Sequence, residues 1–228
     1  MSPSSAIRSR ADLLAYVPLA VATTPADVVG RDRTHAATKV LPAPTLAAGV
    51  VATRDQRTPT GTGTLLAAPA GSTVGDWFMY RSSRSEGERS RSLMRPGAGA
   101  FAVQQTGLIG LLVADGAGPR RLPTAIAVTT LAGLAVLDSD GGAPDPGLTG
   151  YGLLLGSMSA LAMSEGSSPR HGRTIALGGA LFPVSDAAII VGERFASTPR
   201  AQAIASGVIL STYTAALALL VHGLRDES

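Results

Sequence analysis

Eight apolar runs of about 15 to 22 residues, separated by short connections that hold most of the charge, constrain this chain more than anything else in it. A soluble helix keeps one polar face for water, and runs that are apolar nearly all round leave too few polar positions to solvate a bundle from outside. A perpendicular span of a bilayer needs about 20 apolar residues, and several runs here are shorter. Charged residues make up only 15% of the 228, hydrophobic ones 45%. The expected fold is therefore all-α, a polytopic transmembrane helical bundle of about eight spans. It is read as one integral-membrane domain over 1–228, with a polar N-terminal tail at 1–10 and an Arg-rich loop at 81–96. Because several runs are short, a soluble helical protein with Ala-rich core helices is the structural alternative.

In chain order the runs are 11–29, 38–52, 64–80, 97–116, 122–137, 148–163, 174–192 and 203–224. The first, ADLLAYVPLAVATTPADVV behind Arg8 and Arg10, also suits a cleaved signal peptide. RDQRTPTGTG (54–63) and DSDGGAPDPG (138–147) read as turn-rich connections. Gly71 with Gly75, and Gly152 with Gly156, have the small-xxx-small spacing that lets membrane helices approach closely. Trp77 and Tyr80 suit an interfacial belt.

Composition excludes several function classes. Without cysteine there is no disulfide framework, thiolate catalysis or Cys-ligated metal site. His35, His171 and His222 are scattered without metal-ligand spacing, so no metal and no cofactor is expected. The formal charge is +3, but the arginines sit in the gaps between apolar runs, which suits headgroups and cytosolic connections and not a nucleic-acid face. Lys39 is the one lysine, a bias that with abundant Ala, Gly and Arg points to a GC-rich bacterial gene and a cell (inner) membrane location. Basic residues divide nearly evenly between the two sides, so membrane orientation stays open. Oligomeric state is open as well.

Two acids stand out. Asp76 lies in GSTVGDWFMY and Asp186 in GGALFPVSDAAIIVGERF, and ionisable groups in such runs are costly enough to imply a job. Each falls 12 residues after the start of its run, at Thr64 and Thr174, about 18 Å along a helix. The third and seventh runs point the same way, so the carboxylates are expected at matching depth. Lys39, Gln104, Gln105 and Tyr213 fall in the same half of the bilayer. These groups can converge on one cavity if their helices are neighbours. Alternatively each is satisfied separately, Asp76 by interfacial water and Asp186 by an ion pair with Lys39 or Arg194.

With these stretches in order, the chain resembles the YhhN-like family of multi-pass membrane proteins, the lysoplasmalogenases. The matching pieces are KVLPAPTLA (39–47), LLAAPAGSTVGDWFM (65–79), GAGAFAVQQ (97–105), Tyr151 with Met158, GGALFPVSD (178–186), Arg194-Phe195 and STYTAA (211–216). The resemblance implies hydrolysis of the vinyl ether bond of lysoplasmalogens to a fatty aldehyde and a glycerophospho-headgroup. It implies Asp76 and Asp186 as the catalytic carboxylates, with Lys39, Arg194 and the arginines at 81 and 84 available to the substrate phosphate, and Tyr213, Gln104 and Gln105 available to water. The expected partners are a lysophospholipid substrate and membrane lipids. Two positions depart from the family pattern, Gln105 where a His is usual and Ala216 where an amide is usual. Two other functions compete: a non-catalytic carrier of a lipid or small cation with the acids as its site, and a hydrolase of another ether lipid or lysolipid.

Overall fold

The fold was analysed in a computed structural model that describes residues 11–28, 32–138, 146–167 and 171–227. The tail at 1–10, most of DSDGGAPDPG and the centre of SEGSSPRHGR lie outside the described residues. Among the described residues there is helix and no strand. The α-helices are α1 (Ala11–Val28), α2 (Asp32–Val40), α3 (Pro42–Ala52), α4 (Pro59–Ser83), α5 (Gly87–Ala114), α6 (Arg121–Asp138), α7 (Pro146–Ser164), α8 (Gly172–Phe195) and α9 (Pro199–Glu227). They fall on the eight apolar runs, the second run being shared by α2 and α3. Pro42 has no N–H to continue the ladder, so the hydrogen-bond pattern restarts there. Leu41 between them keeps helical angles, φ −76° and ψ −22°.

Helix ends follow local chemistry. The Arg57 guanidinium donates to the Val50 carbonyl (2.8 Å) and to Thr53 Oγ1 (2.9 Å), covering the end of α3 that the ladder leaves open. Thr58, in extended conformation, accepts from the Gly61 N–H at 3.0 Å ahead of Pro59, so part of the stretch expected as a turn is the start of α4.

The Arg-rich stretch differs most from expectation. Instead of a loop over 81–96, α4 continues through Ser83 and α5 begins at Gly87, leaving Arg84 to Glu86 as the connection. Arginine and glutamate are good helix formers, and Gly87 takes the positive φ (+56°) that the turn requires. Ser82 and Ser90 tie the hairpin, each hydroxyl reaching the other's carbonyl at 3.0 and 3.1 Å.

The chain divides into two compact units, residues 1–111 and 112–227. In the first, α4 lies against α5 through its small residues. A side-chain carbon at Gly71 would meet the Ala100 carbonyl oxygen at 2.5 Å, and one at Gly75 the Phe101 ring at 2.7 Å. Leu46, Val50, Leu65 and Leu108 are fully buried here.

In the second unit α8 packs on both α7 and α9. Adjacent glycines make that possible: Gly178 faces Leu220 and the Ala216 carbonyl of α9, while Gly179 faces Ala162 and the Ser159 carbonyl of α7. Gly156 of α7 accommodates Leu131 of α6. The outer faces stay apolar, with Leu14, Leu122 and Val136 more than two-thirds exposed. Helix α5, helix α8 and the Pro199–Arg225 part of α9 are long and apolar enough to cross a membrane. Ala11–Thr23, Ala36–Ala52 and Arg121–Val136 are shorter apolar helices.

Candidate functional site

Each unit buries its own aspartate among polar groups. In the first, Asp76 is 4% exposed near the C-terminal end of α4, one helical turn beyond the fully buried Ser72. The Ser72 hydroxyl donates to Gln104 Oε1 of α5 at 2.7 Å. The α4 glycines set this distance, because a larger residue at 71 would collide with Gln104 itself. Tyr16 of α1, buried at 2% exposure, lies within electrostatic reach of the Asp76 carboxylate.

Gln104 and Gln105 are both completely buried. Gln104 Nε2 and both polar ends of Gln105 have no hydrogen-bond partner. Leaving such groups unmet costs about 1–3 kcal/mol each, and more in a membrane interior. Lys39, in the last turn of α2, is half-buried. An open groove of about 530 Å³ also runs between α4 and α5, lined by Thr64, Ala67, Ala102, Thr106 and flanking glycines. Its lining includes neither Asp76 nor the glutamines.

In the second unit Asp186 is half-buried on α8, three residues after the internal Pro183. Its partner is Tyr151 of α7, whose hydroxyl donates to Oδ2 at 2.8 Å. A phenol therefore stands where the alternative reading placed an ion pair. Arg194 is exposed near the end of α8, eight residues and so about 12 Å further along the helix from Asp186. Tyr213 of α9 packs edge-on against Phe182, one turn before Asp186, with ring centroids 5.8 Å apart. The Ser185 hydroxyl donates to the Ile209 carbonyl at 3.1 Å, pinning α8 to α9 beside the acid.

Of the expected site residues, Asp76, Gln104, Gln105 and Lys39 thus belong to the first unit, and Asp186, Tyr213 and Arg194 to the second. The structure gathers Asp76 and Gln104 around Ser72, and packs Tyr213 on Phe182, one helical turn from Asp186. Tyr16, Ser72 and Tyr151 take part without having been singled out from sequence as site groups. A tyrosine or serine in an apolar run is ordinary by composition; only Tyr151 carried a signal, through its place in the family resemblance.

No curated protein and no solved structure matches this chain. A family match does exist, over residues 34–224, from within α2 almost to the end of α9. It covers Asp76, both glutamines, Tyr151 and Asp186, while Tyr16 precedes it. With more than half its length so matched, the chain belongs to the YhhN family.

Proposed function

We propose that this protein is a membrane hydrolase that cleaves the vinyl ether of lysoplasmalogens, releasing a fatty aldehyde and a glycerophospho-headgroup. The observation that carries the reading is the carboxylate–phenol pair Asp186–Tyr151, held at 2.8 Å in a helix apolar enough to cross a membrane, in a chain of this family. Asp76, the more deeply buried of the two acids, supports it.

The chemistry needs both kinds of group. Proton delivery to the β-carbon of the vinyl ether leaves an oxocarbenium ion. Water adds to the carbon next to the ether oxygen and gives up a proton, and the resulting hemiacetal collapses to aldehyde and alcohol. One carboxyl supplies the first proton, and a carboxylate stabilises the cation and accepts the proton from water, as paired carboxylates do in glycoside hydrolysis. Asp76 in the first unit and Asp186 in the second are the candidate carboxylates for these roles. Tyr151 holds the Asp186 carboxyl in one orientation. In the first unit Lys39 and the arginines at 81 and 84 are the cations available to a substrate phosphate; in the second it is Arg194, with Tyr213 packed on Phe182 one turn from Asp186.

The carrier alternative would gain from a repeated half, but the halves differ in how they serve their acids. Asp76 lies within electrostatic reach of a tyrosine from the first apolar run, whereas Asp186 accepts a hydrogen bond from one of the sixth. The deciding experiment incubates purified protein in detergent with a lysoplasmalogen and measures free aldehyde. Asp76→Asn and Asp186→Asn are each expected to lose at least a hundredfold in turnover while still inserting into membranes. Near wild-type turnover in both variants sinks the acid mechanism, and absence of aldehyde with the unaltered protein sinks the enzyme.

A further inference from the structure

We propose that the outer seam of the α4–α5 hairpin holds one anionic phospholipid, its phosphate between Arg81 and Arg95 and one fatty chain in the groove of small residues below them. All the residues involved belong to the first unit. The apolar part of the site is the open groove of about 530 Å³, where Gly63 and Ala67 of α4 face Ala102 and Thr106 of α5. A side-chain carbon at Gly63 would meet nothing within 4 Å, so the trough has room there for a ligand.

The polar part is the end of the hairpin. Between residues 81 and 95 five arginines, all exposed, stand against Glu86 and Glu88, a formal +3 that equals the charge of the whole chain. Arg81 lies within α4 and Arg95 within α5, so helix geometry fixes the direction of each. Arg81 follows Gly63 by 18 residues, five full turns, and Arg95 precedes Ala102 by seven, about two turns. Each arginine therefore stands in line with a groove residue on its own helix, about 27 Å and about 10 Å away. From the phosphate level of a bilayer to its centre is about 20 Å, so a chain descending from the two arginines reaches the groove. Trp77, one turn below Arg81, is 45% exposed and stacks on Tyr80 at 6.2 Å, and Arg84 lies over the Tyr80 ring at 5.5 Å. Such aromatic residues mark the interface between headgroups and chains.

The two parts together narrow the occupant. A free phosphate would use the arginines and leave the groove unused, and a neutral lipid would use the groove and leave the arginines. A molecule with an anionic end and a long apolar chain meets both. The seam is set apart from Asp76, which follows Gly63 by 13 residues and so points about 140° away around α4, into its buried side. The lipid is thus a bound partner and not a substrate presented to that acid, and it leaves Lys39 and Arg84 for a substrate phosphate.

Trp77 is the one tryptophan of the sequence and supplies the probe. The full-length protein is placed in phosphatidylcholine vesicles with a rising share of phosphatidylglycerol brominated on its chains, and the quenching of Trp77 fluorescence is compared with that by brominated phosphatidylcholine. With about fivefold in affinity from each arginine near a headgroup, the anionic lipid is expected to quench at a roughly tenfold lower mole fraction. Arg95→Gln is expected to weaken this preference about fivefold. Gly63→Leu and Thr106→Leu, which fill the groove, are expected to weaken it by a similar factor without lowering the melting temperature. Arg54→Gln removes the same charge from an exposed site before the opposite end of α4 and is expected to leave the preference intact. Equal quenching by the two lipids in the unaltered protein overturns the site. So does a preference that falls as far in Arg54→Gln as in Arg95→Gln, which is the mark of overall charge, or one that both groove variants leave intact, which is the mark of headgroups gathered by the arginines alone. Reversal of the quenching by excess glycerol phosphate makes a soluble anion the ligand and overturns it too. None of these outcomes depends on aldehyde release, so the hydrolase reading stands or falls separately.

Discussion

At the scale of single residues, the Tyr151 hydroxyl is the group whose effect is cleanest to predict. It gives Asp186 the one hydrogen bond recorded for that carboxylate, at 2.8 Å. A hydrogen bond to a charged partner contributes about 1.5–3 kcal/mol, so its loss corresponds to roughly tenfold to a hundredfold in a step that depends on it. Tyr151→Phe keeps the ring and removes only the donor. Aldehyde release is expected to fall by that factor in kcat with little change in KM, measured by steady-state kinetics in detergent. Unchanged kcat would mean that the bond is structural. The acids themselves were legible because a charge inside an apolar run is a local anomaly that needs no neighbours to be seen. The phenols near them were not, because Tyr16, within electrostatic reach of Asp76, and Tyr151, bonded to Asp186, become meaningful only once the chain is folded. Charge alone suggests an ion pair for Asp186, and a neutral donor meets the same need.

Among the elements, the contact between α4 and α5 holds the first cluster in register, and it has almost no slack. At Gly71 the obstacle to a methyl group is a backbone oxygen, 2.5 Å away, which cannot rotate aside as a flexible side chain would. Gly71→Ala is therefore expected to push the helices apart, costing about 1–3 kcal/mol or more, and to loosen the Ser72–Gln104 bond. Gly99→Ala on α5 meets nothing within 4 Å and is expected to be neutral or to stabilise by about 0.5–1 kcal/mol through the helix preference of alanine. Thermal unfolding of the two variants in one detergent compares them directly, and equal melting temperatures would contradict the close packing. The spacing of Gly71 and Gly75 did announce this contact in the sequence. Helix ends are less legible: the polarity of the arginines and serines of 81–96 suggests a solvated loop, yet polarity does not prevent helix formation. What ends α4 and begins α5 is a three-residue connection and the positive φ at Gly87.

On the scale of the whole molecule, the number of times the chain crosses a bilayer follows less directly from composition than the number of helices. Eight apolar runs became nine α-helices among the described residues, but the three long, strongly apolar ones do not include α4. Yet α4 is 25 residues long, about 37 Å, which exceeds the hydrocarbon thickness. Its hydropathy is lowered by the residues that give it its role, Ser72, Asp76 and the glycines that admit α5, and these are buried against protein and hidden from lipid. A helix whose polar side is covered in this way can span even though its average is modest, because lipid meets only the other face. Val74 and Trp77, both nearly half exposed, supply that face. The absence of cysteine allows a direct test. Gln56→Cys and Ser85→Cys, placed in the connections on either side of α4, are expected to react with a membrane-impermeant maleimide from opposite faces of sealed vesicles. Labelling of both from one face would mean that α4 does not span. Asp76, near one end of α4, would then sit at a membrane surface open to water, and its burial would no longer argue for a protected proton-transfer step.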